Sequence, residues 1–412
     1  MINEIFEIDL NADSFGGECI GRQPDGKAVF VPFGICGERV QVEIFEDKHR
    51  FSRGRILRVI TAAENRITPR CPHFQECGGC HYQHLTYPDQ LNLKRKLVVE
   101  QLQRTGKVAN PPVDPTVPSP LEWNYRNSLQ FHLSKNGKLG FQRQAAAGIV
   151  EIRECHLPVN AISEVWPTLD LAPDAGIRRV SVRCGSDGEG MVGLESDDTI
   201  IPEFEVDFPL SVVFHGGEGD FLLSGEDHSI FLVKGREFRV SARSFFQVNL
   251  AQAEAMVDHI LKTIDITPES TIVDAYCGVG LFSAFLASKV KNLLGIELSE
   301  SACNDYASNL DDFDHVSLYM GAVEEVLPNL GKQVDVILLD PPRAGVEPEA
   351  LKGVIAAAPR QILYISCDPS TLARDAQKLI SADYDLVRVT PFDLFPQTYH
   401  IETISVFEKK AK

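Results

Sequence analysis

From about residue 240 onward, short apolar runs alternate with stretches of helical spacing: "TIVDAYC", "NLLGIEL", "VSLYMG", "VDVILLD", "ILYISC" and "TISVFEK". Runs that short and that uniformly apolar are buried on both faces, as happens when helical crossovers cover a parallel sheet on its two sides. The expected architecture of this part is therefore a doubly wound, Rossmann-like α/β domain. Ligands of such sheets sit outside the carboxyl ends of the strands, so those ends are where chemistry is sought.

In "TIVDAYCGVGLFSAFLA" a strand ends at Asp274, turns through Gly278 and Gly280 and enters a helix. Glycines let the backbone turn tightly and approach a ligand, although such turns also occur for packing. The next strand ends in "GIELSE", which places Glu297 where its carboxylate can accept hydrogen bonds from a ribose diol. "VDVILLDPPRAG" puts Asp340 at the end of a buried strand, and the two prolines after it offer no N–H to a ladder. "ISCDPSTLARD" brings Cys367 to the same rim as Tyr276, Glu297 and Asp340. A lone cysteine is by default a small buried hydrophobe, the reading adopted for Cys19, Cys36, Cys184 and Cys303. At a strand end facing a cofactor crevice, Cys367 reads as a nucleophile.

A chain of 412 residues exceeds what one core organises, so two or three domains are expected. The first sixty or so residues read as short strands with glycine turns, "KAVFVPFG", "ERVQVEIF" and "GRILRVI", which suggests a small OB-like barrel. "TYPDQLNLKRKLVVEQLQRTG" reads as a capped helix from Thr86 to Gly106. Strand-like runs separated by Gly, Asn and Asp then make residues 110 to 235 mostly β. The expected division is 1–62 for the barrel, 63–235 for a central β-rich domain and 236–412 for the α/β domain. The helix at 86–106 is a candidate to pack on the last of these.

Between barrel and helix, "CPHFQECGGC" holds Cys71, Cys77 and Cys80 in a C-x5-C-x2-C spacing. No secretory leader is visible at "MINEIFEIDL" and no apolar run approaches the roughly eighteen residues of a membrane span, so a cytoplasmic protein without membrane contact is expected. Cysteines there stay reduced, and this spacing reads as metal-binding, with Cys155 of "RECHLP" as the natural fourth ligand. Four thiolates suit zinc and an iron–sulfur cluster equally. The net charge of -18 argues against a polyanionic partner, but "KHRFSRGRILR" carries Lys48, Arg50, Arg53, Arg55 and Arg58 without an acid. "KRK" at Lys94, Arg95 and Lys96 forms a second patch. Short charge runs are more often solvated faces, so both are weak signs of nucleic acid.

Taken together, "SFFQVN" (Gln247), "DAYCGVG" (Tyr276), "GIE" (Glu297), "LLDPPRAG" (Asp340), "ISCDPSTLARD" (Cys367) and "DLFPQTYHIET" (Glu402), downstream of the cysteines, resemble nearly end to end one family. This is the TRAM-domain, iron–sulfur-containing class I RNA 5-methyluridine methyltransferases. The resemblance implies an enzyme that binds S-adenosylmethionine through Gln247, Tyr276, Gly278, Gly280, Glu297 and Asp340, with Cys367 as nucleophile and Glu402 as base. It implies a 4Fe-4S cluster on Cys71, Cys77, Cys80 and Cys155, and RNA as partner, ribosomal RNA ahead of the transfer RNA T-loop. Leu281 stands where many members have Thr or Asn, and Ala322 where many have an acidic or amide side chain, so individual cofactor contacts differ.

The chemistry explains the residue types. Carbon 5 of uracil is too weak a nucleophile to take a sulfonium methyl group unaided; a thiolate added at C6 turns C5 into an enolate carbon. A base must then remove the C5 proton, the task of Glu402. Asp340 is placed to hydrogen-bond the polar edge of the base. The target uridine must be flipped out or lie in a loop. Two other readings remain open at this level: a noncatalytic RNA-binding protein on a methyltransferase fold, and a redox or radical enzyme built on the cluster. The radical-type C-x3-C-x2-C arrangement is absent.

Overall fold

The computed structural model describes residues 4–144, 147–173, 175–198, 201 and 209–411. Five strands, β1 (Ile5–Ser14), β2 (Glu18–Arg22), β3 (Ala28–Pro32), β4 (Arg39–Asp47) and β5 (Phe51–Thr61), close into a barrel in the order β1-β2-β3-β5-β4. Alternation along β4 sends Val40, Val42 and Ile44 inward to meet Ile8, Leu10, Val29 and Val31.

Helix α1 (Tyr87–Arg104) begins after Thr86, whose hydroxyl bonds the Asp89 carboxylate instead of capping a backbone N–H. Its Leu97, Val98 and Leu102 are buried in a core shared with the C-terminal sheet, and it lies against the last helix of that sheet.

The central part is a seven-stranded sheet. It contains β6 (Ser128–Leu133), β7 (Leu139–Gln142), β8 (Ile149–Glu151), β9 (Ile177–Cys184), β10 (Gly190–Ser196), β11 (Ser211–Gly216) and β12 (Gly219–Ser224), in the order β12-β11-β10-β9-β6-β7-β8. Helix α2 (Asn160–Val165) covers it, and Phe131, Trp166, Val180 and Phe214 form its core. A hairpin, β13 (His228–Val233) and β14 (Arg236–Ser241), spans the boundary expected at 235. It buries Phe231, Val233, Phe238 and Val240 against the C-terminal part.

The C-terminal elements are α3 (Leu250–Thr263), β15 (Thr271–Ala275), α4 (Leu281–Leu286), β16 (Asn292–Glu297), α5 (Glu300–Asn309), β17 (Val316–Met320), α6 (Val323–Val326) and β18 (Val336–Leu339). They continue with α7 (Pro348–Ala357), β19 (Gln361–Ser366), α8 (Pro369–Ser381), β20 (Tyr384–Phe392) and β21 (Glu402–Lys409). The sheet order is β17-β16-β15-β18-β19-β21-β20. Every residue of β15, β18 and β19 is buried, with one apolar cluster on each face, as the uniform runs require. The expectation of an all-parallel sheet fails at one edge: β21 runs antiparallel to β19, and β20 antiparallel to β21. A parallel return needs a crossover of about a dozen residues or more, and the loop between β20 and β21 is shorter than that. Among the described residues no helix is long and apolar enough to cross a membrane.

Candidate active site

A crevice of about 720 Å³ opens at the carboxyl ends of β15, β16, β18 and β19. Gln247, Tyr276, Gly278, Glu297, Asp340, Cys367 and Glu402 all line it. Gly280 does not. It caps α4 at φ 90°, and a side chain there would run into Leu310 and Tyr306, so the structure gives it a packing role.

The turn after β15 is held under constraint. Tyr276 adopts a left-handed φ of 66°, rare outside glycine, and its buried hydroxyl has no hydrogen-bond partner. At Gly278 (φ 53°) a Cβ would meet nothing within 4 Å and would project into open space, so the backbone is bare toward the crevice. The Gly278 N–H donates to Glu297 Oε2 at 2.9 Å, while Oε1 accepts from the Leu298 and Ser299 amides at 2.8 and 2.7 Å. These three bonds fix the carboxylate and leave it acceptor capacity. An unpartnered hydroxyl, a bare glycine backbone and an oriented carboxylate fit the donor groups of an adenosyl cofactor.

The charged groups of the crevice act on one another. Burial, then the neighbouring Asp274 and Glu297 carboxylates, raise Asp340 to about 7. Glu402, 6% exposed at the start of β21, is pushed well above the carboxylate range by burial and by Asp340, with Arg343 opposing. Burial lifts the Cys367 thiol to about 12; Glu402 adds to the rise and Arg343 counters it. Arg343, exposed on the loop after β18, approaches His400 Nε2 to 3.5 Å. Burial and Arg343 hold His400 down to about 3, so it is neutral at physiological pH.

The four cysteines Cys71, Cys77, Cys80 and Cys155 ring a separate cavity of about 190 Å³ walled by Leu129, Phe141, Ile152 and Leu157. Among the described residues no three His, Cys, Asp or Glu side chains converge closely enough to hold a single metal ion. A lone zinc would draw its sulfurs to about 2.3 Å from one centre. Four thiols lining one cavity are the donor type that an iron–sulfur cluster takes.

Residues 228–410 match the family model described as tRNA (Uracil-5-)-methyltransferase, and residues 1–57 match the TRAM domain. An RNA methyltransferase of Halalkalibacterium halodurans is 33% identical, covering 99% of this chain and 98% of the relative. Another, from Bacillus cereus, is 31% identical over 100% of this chain and 97% of its own length. The chain belongs to the RNA uracil-5-methyltransferase family. It is an S-adenosylmethionine-dependent RNA methyltransferase. The fold is shared over 98% of the chain with a Pyrococcus abyssi tRNA (uracil-54, C5)-methyltransferase solved with S-adenosyl-L-homocysteine, at TM-score 0.72 and 24% identity.

The basic patches of the methyltransferase differ from expectation. In the turn before β5, Lys48 pairs with Glu46, and on β5 Arg53 pairs with Glu18 and Glu46 and Arg55 with Glu43, all within 4 Å. Exposed Arg50 and Arg58 have no ion pair among the described residues. The "KRK" patch is divided: Lys94 is fully buried on Asp393, whereas Arg95 and Lys96 are exposed, Arg95 bonding the Val113 and Asp114 carbonyls and Lys96 bonding Asp13. Cys19, Cys184 and Cys303 are buried as expected, whereas Cys36 is only half-buried. Sequence reasoning missed Arg343, His400, Phe395 and Phe245 on the crevice. Phe245 is 69% exposed, an apolar ring left in solvent, and its place beside Gln247 was the available signal.

Proposed function

We propose that this methyltransferase methylates carbon 5 of a uridine in large-subunit ribosomal RNA through a covalent adduct on Cys367, with Glu402 as base. The observation that carries this reading is that Cys367, Glu402, Asp340 and Arg343 act on one another's charge within a crevice also lined by Tyr276, Gly278 and Glu297. Gln247, Tyr276, Gly278, Glu297 and Asp340 would hold the cofactor. Bound there, S-adenosylmethionine supplies the electrophilic methyl group that C5 acquires.

The remaining work belongs to the chain. The Cys367 thiol, protonated in the free enzyme, releases its proton to solvent, and the thiolate sulfur bonds C6 while electron density moves to C5. Arg343 is the positive group that favours the thiolate. Asp340, with a carboxyl near 7, can carry the proton it shares with the polar edge of the uracil. Once C5 carries the methyl group, Glu402 takes the C5 proton, the C5–C6 double bond re-forms and the sulfur leaves. A carboxyl raised by burial is the stronger base once ionised. The exposed Phe245 ring offers a stacking surface for a base displaced from its neighbours. The barrel, through Arg50 and Arg58, would meet phosphates.

The same reading assigns a 4Fe-4S cluster to Cys71, Cys77, Cys80 and Cys155, supported by the four thiols lining one cavity. Neither thiolate addition nor methyl transfer consumes electrons, so its role is to clamp the segment before α1 to the central sheet. Such an enzyme would work in the cytoplasm, where thiols stay reduced.

The test is methylation of purified ribosomal and transfer RNA transcripts followed by nucleoside mass spectrometry. The reading requires 5-methyluridine in a ribosomal fragment, and a Glu402→Gln variant that stalls as a covalent RNA complex. 5-Methyluridine only in transfer RNA would move the substrate to the T-loop. A methyl group on any other base atom would end the proposal.

A further inference from the structure

The loop between β20 and β21, residues 393–401, carries Phe395 and His400 into the crevice and leads into Glu402, the first residue of β21, and many of its anchors come from outside its own sheet. Gln397, 2% exposed, sits at its centre in a left-handed conformation, φ 69°. A non-glycine residue keeps that conformation only where its surroundings over-determine it. They do so here. The Gln397 carbonyl accepts from the His81 and Tyr82 amides at 2.8 and 3.0 Å, directly after Cys80. Its own amide donates to Gln90 Oε1 at 3.1 Å, and Gln90 Nε2 donates back to Gln397 Oε1 at 3.0 Å. One turn further along α1, Lys94 Nζ donates to Asp393 Oδ1 at 2.5 Å and to the Phe395 carbonyl at 3.1 Å, with both charged side chains fully buried.

We propose that α1 is a positioning strut for methyl transfer: through Gln90 and Lys94 it fixes the loop Asp393–His400, which holds Phe395 and His400 on the crevice and sets the course of the chain into Glu402. The proposal rests on the reading of the crevice given above. A buried ion pair is weak evidence of stability, since apolar replacement is often neutral; what this one visibly does is tie α1 to both Asp393 and the Phe395 carbonyl. Gln90 tells the same story without charge: a buried side chain on a helix face where an apolar residue would pack spends its bonds on a segment some three hundred residues away. Gln90 and Lys94 touch no reacting atom and are positioning residues.

Two variants of the full chain test this. Gln90→Met removes the amide pair at similar volume; Lys94→Met with Asp393→Leu replaces the ion pair by apolar side chains. Both are expected to unfold cooperatively and to bind S-adenosylmethionine within about twofold of wild type. Amide hydrogen exchange over 393–402 should quicken at least tenfold while β15 and β16 stay protected. The single-turnover rate at saturating RNA and cofactor should fall at least tenfold with KM unchanged. Unchanged exchange in Gln90→Met, uniform quickening across the sheet, or a normal rate despite faster exchange would each overturn the proposal. Should the double variant not fold, Gln90→Met decides. A wild-type enzyme inactive on uridine would sink the proposed reaction, and the exchange measurement would still decide the strut.

Discussion

Asp274→Asn probes the electrostatics beneath the crevice. Asp274 is buried at the end of β15, where its Oδ2 accepts from the Ser283 hydroxyl at 2.6 Å and its Oδ1 has no partner. Burial outweighs the Ser283 bonds, Glu297 adds to it, and the carboxyl rises from 3.8 to about 7. The folded state therefore holds this proton more tightly than the unfolded chain does. The stability it contributes is fully present below about pH 4 and is lost as pH rises through about 7. One pKa unit corresponds to 1.36 kcal/mol, so the wild type loses about 3 kcal/mol of the ~4 kcal/mol total between pH 5 and pH 9. Asn keeps the Ser283 bond but places a donor where Oδ1 had no partner, a pH-independent penalty of about 1–3 kcal/mol. Urea unfolding of both proteins across that pH range should give curves that converge, or cross, as pH rises. Parallel curves would refute the reasoning, because they would mean that Asp274 is already ionised in the folded protein at pH 5.

Gly278→Ala and Gly280→Ala separate ligand approach from packing. Gly280→Ala should lower Tm the more, because its side chain meets Leu310 and Tyr306. Gly278→Ala should weaken S-adenosylmethionine binding at least tenfold by calorimetry with the smaller loss of Tm, since its Cβ enters the crevice. Cys155→Ser should purify anaerobically with less iron and sulfide per chain than wild type; equal metal content would remove Cys155 from the ligand set. Arg50→Ala with Arg58→Ala should weaken RNA binding evenly across sequences and reduce the salt slope by about 2, measured by filter binding between low and moderate salt.

Much of this site was legible because its residues sit at strand ends that hydrophobicity marks. Asp340 and Cys367 follow runs buried at every position, and topology then forces them to one rim. Glu402 was reached by resemblance, since a glutamate entering a strand carries no local sign of burial. Lys94 was misread because its burial depends on Asp393, which no local pattern places beside it. Strand β20 escaped notice because "YDLVRVTPF" mixes exposed charges with apolar positions, as an edge strand can. Arg343 and His400 are single polar residues in loops, and only the folded chain shows that they touch on the wall of the crevice.

The central claim is that Cys367 bonds carbon 6 of a uracil. The direct measurement is incubation of anaerobically purified enzyme with S-adenosylmethionine and RNA containing 5-fluorouridine, followed by peptide mass spectrometry of any complex that survives denaturation. Fluorine at C5 cannot leave as a proton does, so the account predicts a stable adduct mapped to Cys367 and absent in Cys367→Ala. RNA that binds and is methylated at uracil C5 in natural form, yet yields no adduct or one on another residue, would contradict it.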